Sequence, residues 1–152
     1  MRHLSLEEIS DRMQIDDVLI RYTVAIDTKD FDLLDQVFTP DAHIDYTASG
    51  GIEGEYPKVK GWLANALSLF PTYQHFIGNT THTLDGDAAR TRTYFINPMV
   101  FENPDGSNHV FTVGGYYVDR LVRTDAGWRI EDRREDQALI DGSLPEALQI
   151  PT

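Results

Sequence analysis

The sequence predicts an α+β fold in which three helices pack on one face of a curved, mostly antiparallel β-sheet. Two observations support this prediction. Before Pro71 the chain carries three segments of helical character, and after Pro71 it carries four long segments rich in Thr, Val, Tyr, Phe and Ile. Short turns containing Asp and Gly join these four segments, so we expect an antiparallel meander. Helices followed by a meander is the order typical of an α+β domain.

The first helix is predicted over residues 4–27. Ser5 followed by Glu8 has the spacing of a capping box, which marks the helix start. Its apolar positions recur near the helical period at Leu6, Ile9, Met13, Val18, Tyr22 and Ala25, and Ile15, Leu19 and Ile26 widen the stripe.

Two shorter helices are predicted next. Asp30 has the character of an N-cap for the segment FDLLDQVF, and Pro40 is expected to stop that helix. The third helix is predicted over residues 57–69. One face of it would carry Val59, Trp62, Leu63, Ala66, Leu67 and Phe70.

The predicted strands begin with a short one between the second and third helices. The strands are expected at 43–47 (HIDYT), 74–84, 88–101, 109–123 and 127–140. Gly50-Gly51 lies in a turn, and Gly114-Gly115 lies inside a strand, where paired glycines indicate a bulge rather than a phosphate loop. The tail SLPEALQIPT is expected to cover a rim of the fold or a neighbouring subunit.

Length and composition narrow the function. A chain of 152 residues with 41% hydrophobic residues fits a single globular domain over 1–152. The net charge of −12 argues against nucleic acid and anionic membranes as partners. No apolar run is long enough for a membrane span and the N-terminus has no secretory signal, so a cytoplasmic location is expected. The absence of cysteine excludes disulfides and thiolate chemistry.

Asp27 and His75 are the strongest pair of candidate catalytic residues. Asp27 follows apolar Ala25 and Ile26 at the end of the first helix, where the helix dipole disfavours a carboxylate. A partly buried carboxylate there needs a partner. His75 begins a strand after a Pro-containing turn, and a carboxylate would fix its tautomer and raise its basicity. The alternative is that Asp27 only caps the following turn.

Other polar clusters have simpler interpretations. His43 and Asp45 share one strand face, but no second group of metal ligands accompanies them, so we interpret them as surface residues. Arg133 and Arg134 lie in the charged run EDRRED, which we expect to be mostly solvated. One of these arginines could still point inward to bind an oxyanion.

Five segments in order carry a family resemblance. They are RYTVAIDTKDFDLLDQVF, PDAHIDYTASG, QHFIGN, TRTYFINPMVF and GGYYVDRLVRTDAGWRI, which together cover about residues 10–140. This series resembles the SnoaL-like branch of the nuclear transport factor 2-like (NTF2-like) superfamily. The resemblance implies a cone, in which the curved sheet and three helices enclose a pocket. The most similar members by pattern are the cofactor-independent lyases scytalone dehydratase, bile-acid dehydratase and hexachlorocyclohexane dehydrochlorinase.

The resemblance also implies roles for particular residues. In those lyases an Asp at the end of the first helix pairs with a His that begins a later strand, which here are Asp27 and His75. Tyr22 matches a catalytic tyrosine of the bile-acid enzyme, and Tyr46 matches a pocket tyrosine of both dehydratases. Asn97 stands where the bile-acid enzyme has an acidic residue, and an amide cannot accept a proton at neutral pH.

The same family pattern guides the expected substrate contacts. Scytalone dehydratase uses a second histidine near the strand where this sequence has Met99, Val100 and Phe101, so a two-histidine mechanism is not expected. Substrate contacts are expected from Asn97, Trp62, Phe101 and Tyr117. The resemblance requires no metal and no cofactor.

The function favoured at this stage is a cofactor-independent lyase or isomerase that acts on a hydrophobic ring compound. His75 would remove a proton from carbon, Asp27 would orient it, and Tyr22 or Tyr46 would donate a hydrogen bond. Two alternatives stay open: a ligand-binding module without catalysis, and a scaffold similar to the small β subunit of ring-hydroxylating dioxygenases. A homodimer or homotrimer is expected, with the dimer preferred, formed through the outer sheet face that carries Val110, Thr112, Tyr116 and Val118.

Overall fold

The computed structural model describes residues 2–151. It contains two α-helices, α1 (Leu6–Asp27) and α2 (Tyr56–Ala66), and three short 3₁₀ segments (Phe31–Gln36, Thr47–Ser49 and Leu67–Leu69). Seven strands form one sheet: β1 (Phe38–Asp45), β2 (Glu53–Glu55), β3 (Thr72–Tyr73), β4 (Phe76–Asp85), β5 (Ala88–Glu102), β6 (Asn108–Thr124) and β7 (Gly127–Asp141). The predicted α+β class with a mostly antiparallel sheet and three helices is confirmed.

The sheet is built around the long meander β5–β6–β7. Its order is β2-β1-β7-β6-β5-β3, and β4 also pairs with β5. All pairings are antiparallel except that of β1 with β7. Two bulges in the β6–β7 pairing, each with its extra residue on β7, bend the sheet. An added Cβ at Gly115 would collide with the carbonyl oxygen of Asp136, so one of these bulges requires glycine.

α1 begins at the predicted capping box, in which Ser5 and Glu8 bond each other's backbone N–H groups. Its buried face differs from the predicted stripe in the first half of the helix. Leu6 is 87% exposed and Met13 is also exposed, whereas Asp11 is buried. Asp11 accepts hydrogen bonds from the guanidinium of Arg123 and from the indole N–H of Trp128. The first half of α1 is therefore held to the sheet by the hydrogen bonds of Asp11, and not by the apolar side chains that the periodicity predicted. 

β1 also differs from its prediction, because it starts five residues earlier than expected. Pro40 was expected to stop a helix, but it lies inside β1. The pairing of β1 with β7 is irregular between Phe38 and His43, and this irregularity accommodates a residue that cannot donate a backbone hydrogen bond. The second predicted helix is correspondingly shorter and is a 3₁₀ segment.

A buried ion pair lies inside the apolar core that the helices and sheet share. Arg133 donates from Nε and Nη2 to the two carboxylate oxygens of Asp119, at 2.7 Å each, and neither side chain is exposed. The guanidinium also stacks on the rings of Tyr22 and Tyr117, at 4.2 and 4.3 Å from their centroids. Burial alone would lower the pKa of Arg133, but the ion pair and hydrogen bonds with Asp119 raise it well above its usual value.

The expectation of a mostly solvated charge run at EDRRED fails at two of its six residues. Arg133 and Glu135 point inward, while Arg134 and Asp136 pair with each other on the exposed face. This follows from strand geometry, because successive side chains point to opposite faces of a sheet. The sequence analysis allowed one of the two arginines to point inward and bind an oxyanion. Arg133 does point inward, but its partner is the carboxylate of Asp119.

Within residues 2–151, no helix has the length and apolar character needed to cross a membrane.

The Arg133–Asp119 pair leads to a stability prediction. Arg133→Met should lower the free energy of unfolding by about 3–5 kcal/mol, because it leaves the Asp119 carboxylate buried without a counter-charge. Adding Asp119→Leu should recover much of the loss. Urea unfolding followed by circular dichroism measures both variants. Arg134→Met is the matched control, because it breaks an exposed pair, and it should cost less than about 1 kcal/mol. Equal losses in the two single variants would contradict this account.

The outer face of the sheet carries a patch of exposed apolar side chains. Ile96 is 45% exposed and faces Gly114 across the β5–β6 pair, and Leu139 on β7 lies on the other side of Gly114. Phe76 on β4 and Val110 on β6 extend the patch. An apolar surface that crosses four strands is suited to covering by a partner.

We predict that this outer patch holds two copies of the chain together. Light scattering should then give twice the 17.3 kDa mass of one chain. Ile96→Glu should shift the mass to that of the monomer, because it places a charge in the centre of the interface. Leu6→Glu is the control, because Leu6 is exposed on α1, away from the patch, and it should leave the dimer intact. A wild-type mass of 17.3 kDa would refute the prediction.

Candidate active site

A cavity of about 260 Å³ lies between the two α-helices and the inner face of the sheet. Its size suits a small molecule rather than a peptide. Most of its lining is apolar and includes Trp62, Leu63, Phe70, Phe95, Met99 and Phe111. The polar side chains of the lining are few, and they are His75, Tyr22, Tyr46, Tyr117, Asn97, Ser49, Glu135 and Gln137.

His75 and Asp27 form a close pair at this cavity. Nδ1 of His75 lies 2.6 Å from Oδ1 of Asp27, and the backbone N–H of His75 donates to Oδ2 at 2.8 Å. The imidazole is almost fully buried, and it lines the cavity. A carboxylate can only accept a hydrogen bond, so the contact with Asp27 places the proton of the neutral ring on Nδ1 of His75. Nε2 makes no hydrogen bond within residues 2–151.

The local fold explains why the two residues meet. Asp27 is the last residue of α1, and His75 lies between β3 and β4. The hydroxyl of Tyr73 donates to the carbonyl of Ile26 at 2.9 Å, and the ammonium of Lys29 donates to the carbonyl of Phe70 at 2.9 Å. These bonds fix the end of the helix against the segment that carries the histidine.

A group of three tyrosines lies next to the imidazole. The hydroxyl of Tyr46 donates to that of Tyr22 at 2.9 Å, and the ring of Tyr22 contacts the rings of His75 and Tyr117 edge to face. Burial raises the pKa values of these three hydroxyls well above the usual tyrosine value. They therefore stay neutral. The bond between Tyr46 and Tyr22 uses the hydroxyl proton of Tyr46, so the hydroxyl proton of Tyr22 is available to a ligand.

The predicted substrate contacts fall into two groups. Asn97, Trp62 and Tyr117 line the cavity together with His75, Tyr22 and Tyr46. Phe101 does not belong to the lining. Its ring packs edge to face on Phe70, which lines the cavity in its place.

Asn97 is a polar group with an unused acceptor. The side chain is buried on β5, and its Oδ1 has no hydrogen-bond partner within residues 2–151. A buried amide oxygen without a partner is costly, so a ligand that donates a hydrogen bond here would be favoured.

Glu135 is a polar residue of the site that the sequence did not reveal. It is 8% exposed, lines the cavity and accepts a hydrogen bond from the hydroxyl of Ser49. Burial raises the pKa of Glu135 above its usual value. Alternation from Trp128 and Ile130 would turn residue 135 outward, but a bulge next to Ile130 reverses the alternation. Nothing in the sequence marks that bulge.

The C-terminal tail covers the rim of this cavity. Leu144, Leu148 and Ile150 contribute to its lining. The indole N–H of Trp62 donates to the carbonyl of Pro151 at 2.6 Å, which joins the tail to α2. The tail thus covers a rim of its own chain, which is one of the two positions predicted for it.

The remaining histidines lie outside the cavity. His43 contacts Glu53 and Asp132 on the surface, and His82 pairs with Asp16 at 2.7 Å between β4 and α1. Across residues 2–151, no three His, Asp or Glu side chains are grouped as metal ligands would be.

Comparison with known proteins gives consistent results. An uncharacterized protein of Mycobacterium tuberculosis (strain H37Rv), Rv2910c, is 51% identical over 132 residues, which are 87% of this chain and 88% of that protein. A crystal structure from Novosphingobium aromaticivorans, provisionally named an aromatic ring hydroxylase, is 31% identical, with a TM-score of 0.79 over 89% of this chain and 94% of that chain. A hexachlorocyclohexane dehydrochlorinase, LinA type 2, is 16% identical and shares the fold, with a TM-score of 0.78 over 94% of this chain and 99% of that chain.

The family assignment follows from a match that spans most of the chain. The SnoaL-like domain matches residues 7–134, a range that includes α1, α2 and all but the end of β7. Together with the cone-shaped fold and the similar structures, this match shows that the chain belongs to the SnoaL-like domain family of the NTF2-like superfamily.

Proposed function

We propose that the protein is a cofactor-independent lyase that removes a proton from carbon in a hydrophobic ring compound and expels a leaving group from the neighbouring carbon. The observation that carries this proposal is the Asp27–His75 pair in the wall of an apolar cavity. The dehydrochlorinase with the same fold supports an elimination reaction. An isomerase would use the same base, and would return the proton to another carbon of the substrate.

His75 would act through Nε2. Asp27 holds the proton on Nδ1, so the lone pair of Nε2 is available to accept a proton from substrate carbon. The imidazolium formed in this step gains stabilisation from the adjacent carboxylate, as in other His–Asp pairs. Burial of the imidazole keeps water from competing for the lone pair.

Tyr22 and Tyr46 would stabilise the negative charge that develops on the substrate. Both hydroxyls are neutral and buried, and they share one hydrogen bond, so one hydroxyl proton is free to point at a substrate oxygen. A donor held in place before the reaction stabilises an oxyanion more strongly than mobile water does.

The cavity supports a substrate of one or two rings. Its volume of about 260 Å³ is slightly below the usual range for drug-sized ligands. Its aromatic and aliphatic walls favour a flat, apolar skeleton.

The proposal is tested by steady-state turnover of a panel of ring alcohols, ring halides and ring ketones. His75→Ala should lower the rate on the best substrate by a factor on the order of 10²–10⁴, because it removes the base. Asp27→Asn should also lower the rate severely, because it weakens tautomer control. The double variant should be hardly worse than His75→Ala, because the two residues act as a unit.

His82→Ala is the matched control for this prediction. His82 also has a buried imidazole paired with an Asp at 2.7 Å, but it lies outside the cavity. We expect it to keep nearly full activity. Activity near the wild-type level in His75→Ala would contradict the proposal and favour a ligand-binding module in which the pair is structural.

A further inference from the structure

Glu135 is a buried carboxyl group that the His75 mechanism does not use. It lies on β7, opposite Tyr117 in the β6–β7 register, and it lines the same cavity as His75. Its Oε1 accepts a hydrogen bond from Ser49, and Oε2 makes no hydrogen bond within residues 2–151. One carboxyl oxygen is thus anchored, and the other is left for a ligand.

No Lys, Arg or His side chain within residues 2–151 forms an ion pair with Glu135. Arg133 donates to Asp119 from Nε and Nη2, its buried Nη1 has no hydrogen-bond partner within those residues, and Arg134 pairs with Asp136 on the outer face. An ionised carboxylate at this depth would therefore lack a direct cationic partner in the described part of the chain. Isolated buried charge is costly, so the neutral carboxylic acid is favoured.

Five titratable side chains face Glu135 and bear on its pKa. They are His75 next to β4, Tyr22 on α1, Tyr46 after β1, Tyr117 on β6 and Arg133 on β7. Burial raises the pKa of Glu135, while the hydrogen bond from Ser49 and the electrostatic interactions with His75 and Arg133 lower that pKa by less than burial raises it. The carboxyl group is therefore protonated to a higher pH than an exposed glutamate, and its proton is lost as pH rises through the raised pKa.

We propose that Glu135 is a second proton-transfer residue of the cavity, which as the neutral acid donates its Oε2 proton to an oxygen leaving group on the substrate. This inference rests on the proposed function, and it narrows the substrate class. A departing halide needs no proton, whereas a departing hydroxide does. The site is therefore suited to a ring alcohol with an acidic C–H on the neighbouring carbon, and the reaction is loss of water.

The step balances without any added reagent. Nε2 of His75 takes the proton from carbon, and the electron pair of that C–H bond forms the C=C bond. The C–O bond breaks, and its electron pair takes the proton of Glu135, which releases water. The proton on His75 then passes through water to the Glu135 carboxylate, and both groups return to their starting states.

The protonation of Glu135 is tested first, by infrared difference spectroscopy on the full chain over a series of pH values. The wild-type spectrum minus that of Glu135→Gln should contain the carbonyl stretch of one protonated carboxyl group up to a higher pH than an exposed glutamate would give. Asp136→Asn is the matched control, because Asp136 is the neighbouring carboxylate on the outer face, and it should leave that band in place. In Ser49→Ala the band should persist to higher pH, because a bond that lowers the pKa of Glu135 is removed. A band that is absent, or that is lost at the pH where an exposed glutamate ionises, would overturn the proposal.

Donation to an oxygen is tested with α-tetralone as the probe and tetralin, its oxygen-free skeleton, as the reference. At slightly acidic pH the wild type should bind α-tetralone roughly tenfold more tightly than tetralin, the fold-change expected for one buried hydrogen bond. The advantage should shrink as pH rises and Glu135 loses its proton, while the neutral tyrosine hydroxyls can still donate. Since imidazoles titrate in the same range, His75→Gln is measured too, and it should keep the pH dependence. Glu135→Gln should lose it.

The outcomes separate this inference from the proposed function. If His75→Ala is inactive while Glu135→Gln keeps wild-type turnover of a ring alcohol, the role of Glu135 is refuted and the lyase proposal stands. If His75→Ala stays active, the lyase proposal fails. A pH dependence of α-tetralone binding that vanishes in His75→Gln, or no binding of α-tetralone, would also overturn the inference about Glu135.

Discussion

The contact between Asp27 and His75 is the interaction on which the site depends. One carboxylate binds both the backbone N–H and the ring Nδ1 of the same residue, so it fixes the position of the chain and the orientation of the ring together. It also joins the end of α1 to the segment between β3 and β4. The neighbouring bond from Tyr73 to the carbonyl of Ile26 reinforces that junction. Without the Asp27–His75 contact, no hydrogen bond within residues 2–151 would fix the orientation of the imidazole.

Two buried polar systems behind this contact differ in the charge of their hydrogen-bond partners. Arg133 and Asp119 have no exposed side-chain surface and bond each other twice, which is the arrangement expected of a structural pair. Glu135 has one neutral partner and faces the cavity. The first system holds the rings of Tyr22 and Tyr117 in place, and the second keeps a proton next to the substrate space. Alternate positions on one strand thus serve packing and chemistry.

The sequence was informative where local chemistry decides the structure. Three local features each predicted an element or a partner. They are the turns of the meander, the capping box at Ser5 and the carboxylate of Asp27 at the C-terminus of a helix. Tyr22 and Tyr46 were candidate site residues only through the family resemblance, and their contact was not predicted. Their positions on a helix and a strand depend on how the sheet wraps around α1.

The features that the sequence did not reveal depend on strand register. The bulge next to Ile130 turns Arg133 and Glu135 inward, and the irregularity in β1 admits Pro40. Such bulges leave no signal in a single sequence when no glycine marks them. Exposed Leu6 and Met13 were misassigned for another reason, since apolar periodicity does not distinguish the core from an uncovered helix face.

The central claim is that Asp27 presents His75 to the cavity as a neutral base with a free Nε2. ¹⁵N NMR of the imidazole nitrogens tests this most directly, because their chemical shifts distinguish the two neutral tautomers from the imidazolium. In its neutral form, His75 should show a protonated Nδ1 and an unprotonated Nε2, and Asp27→Asn should mix the tautomers while His82 keeps its spectrum. A wild-type His75 with its proton on Nε2, or a spectrum unchanged by Asp27→Asn, would contradict the account.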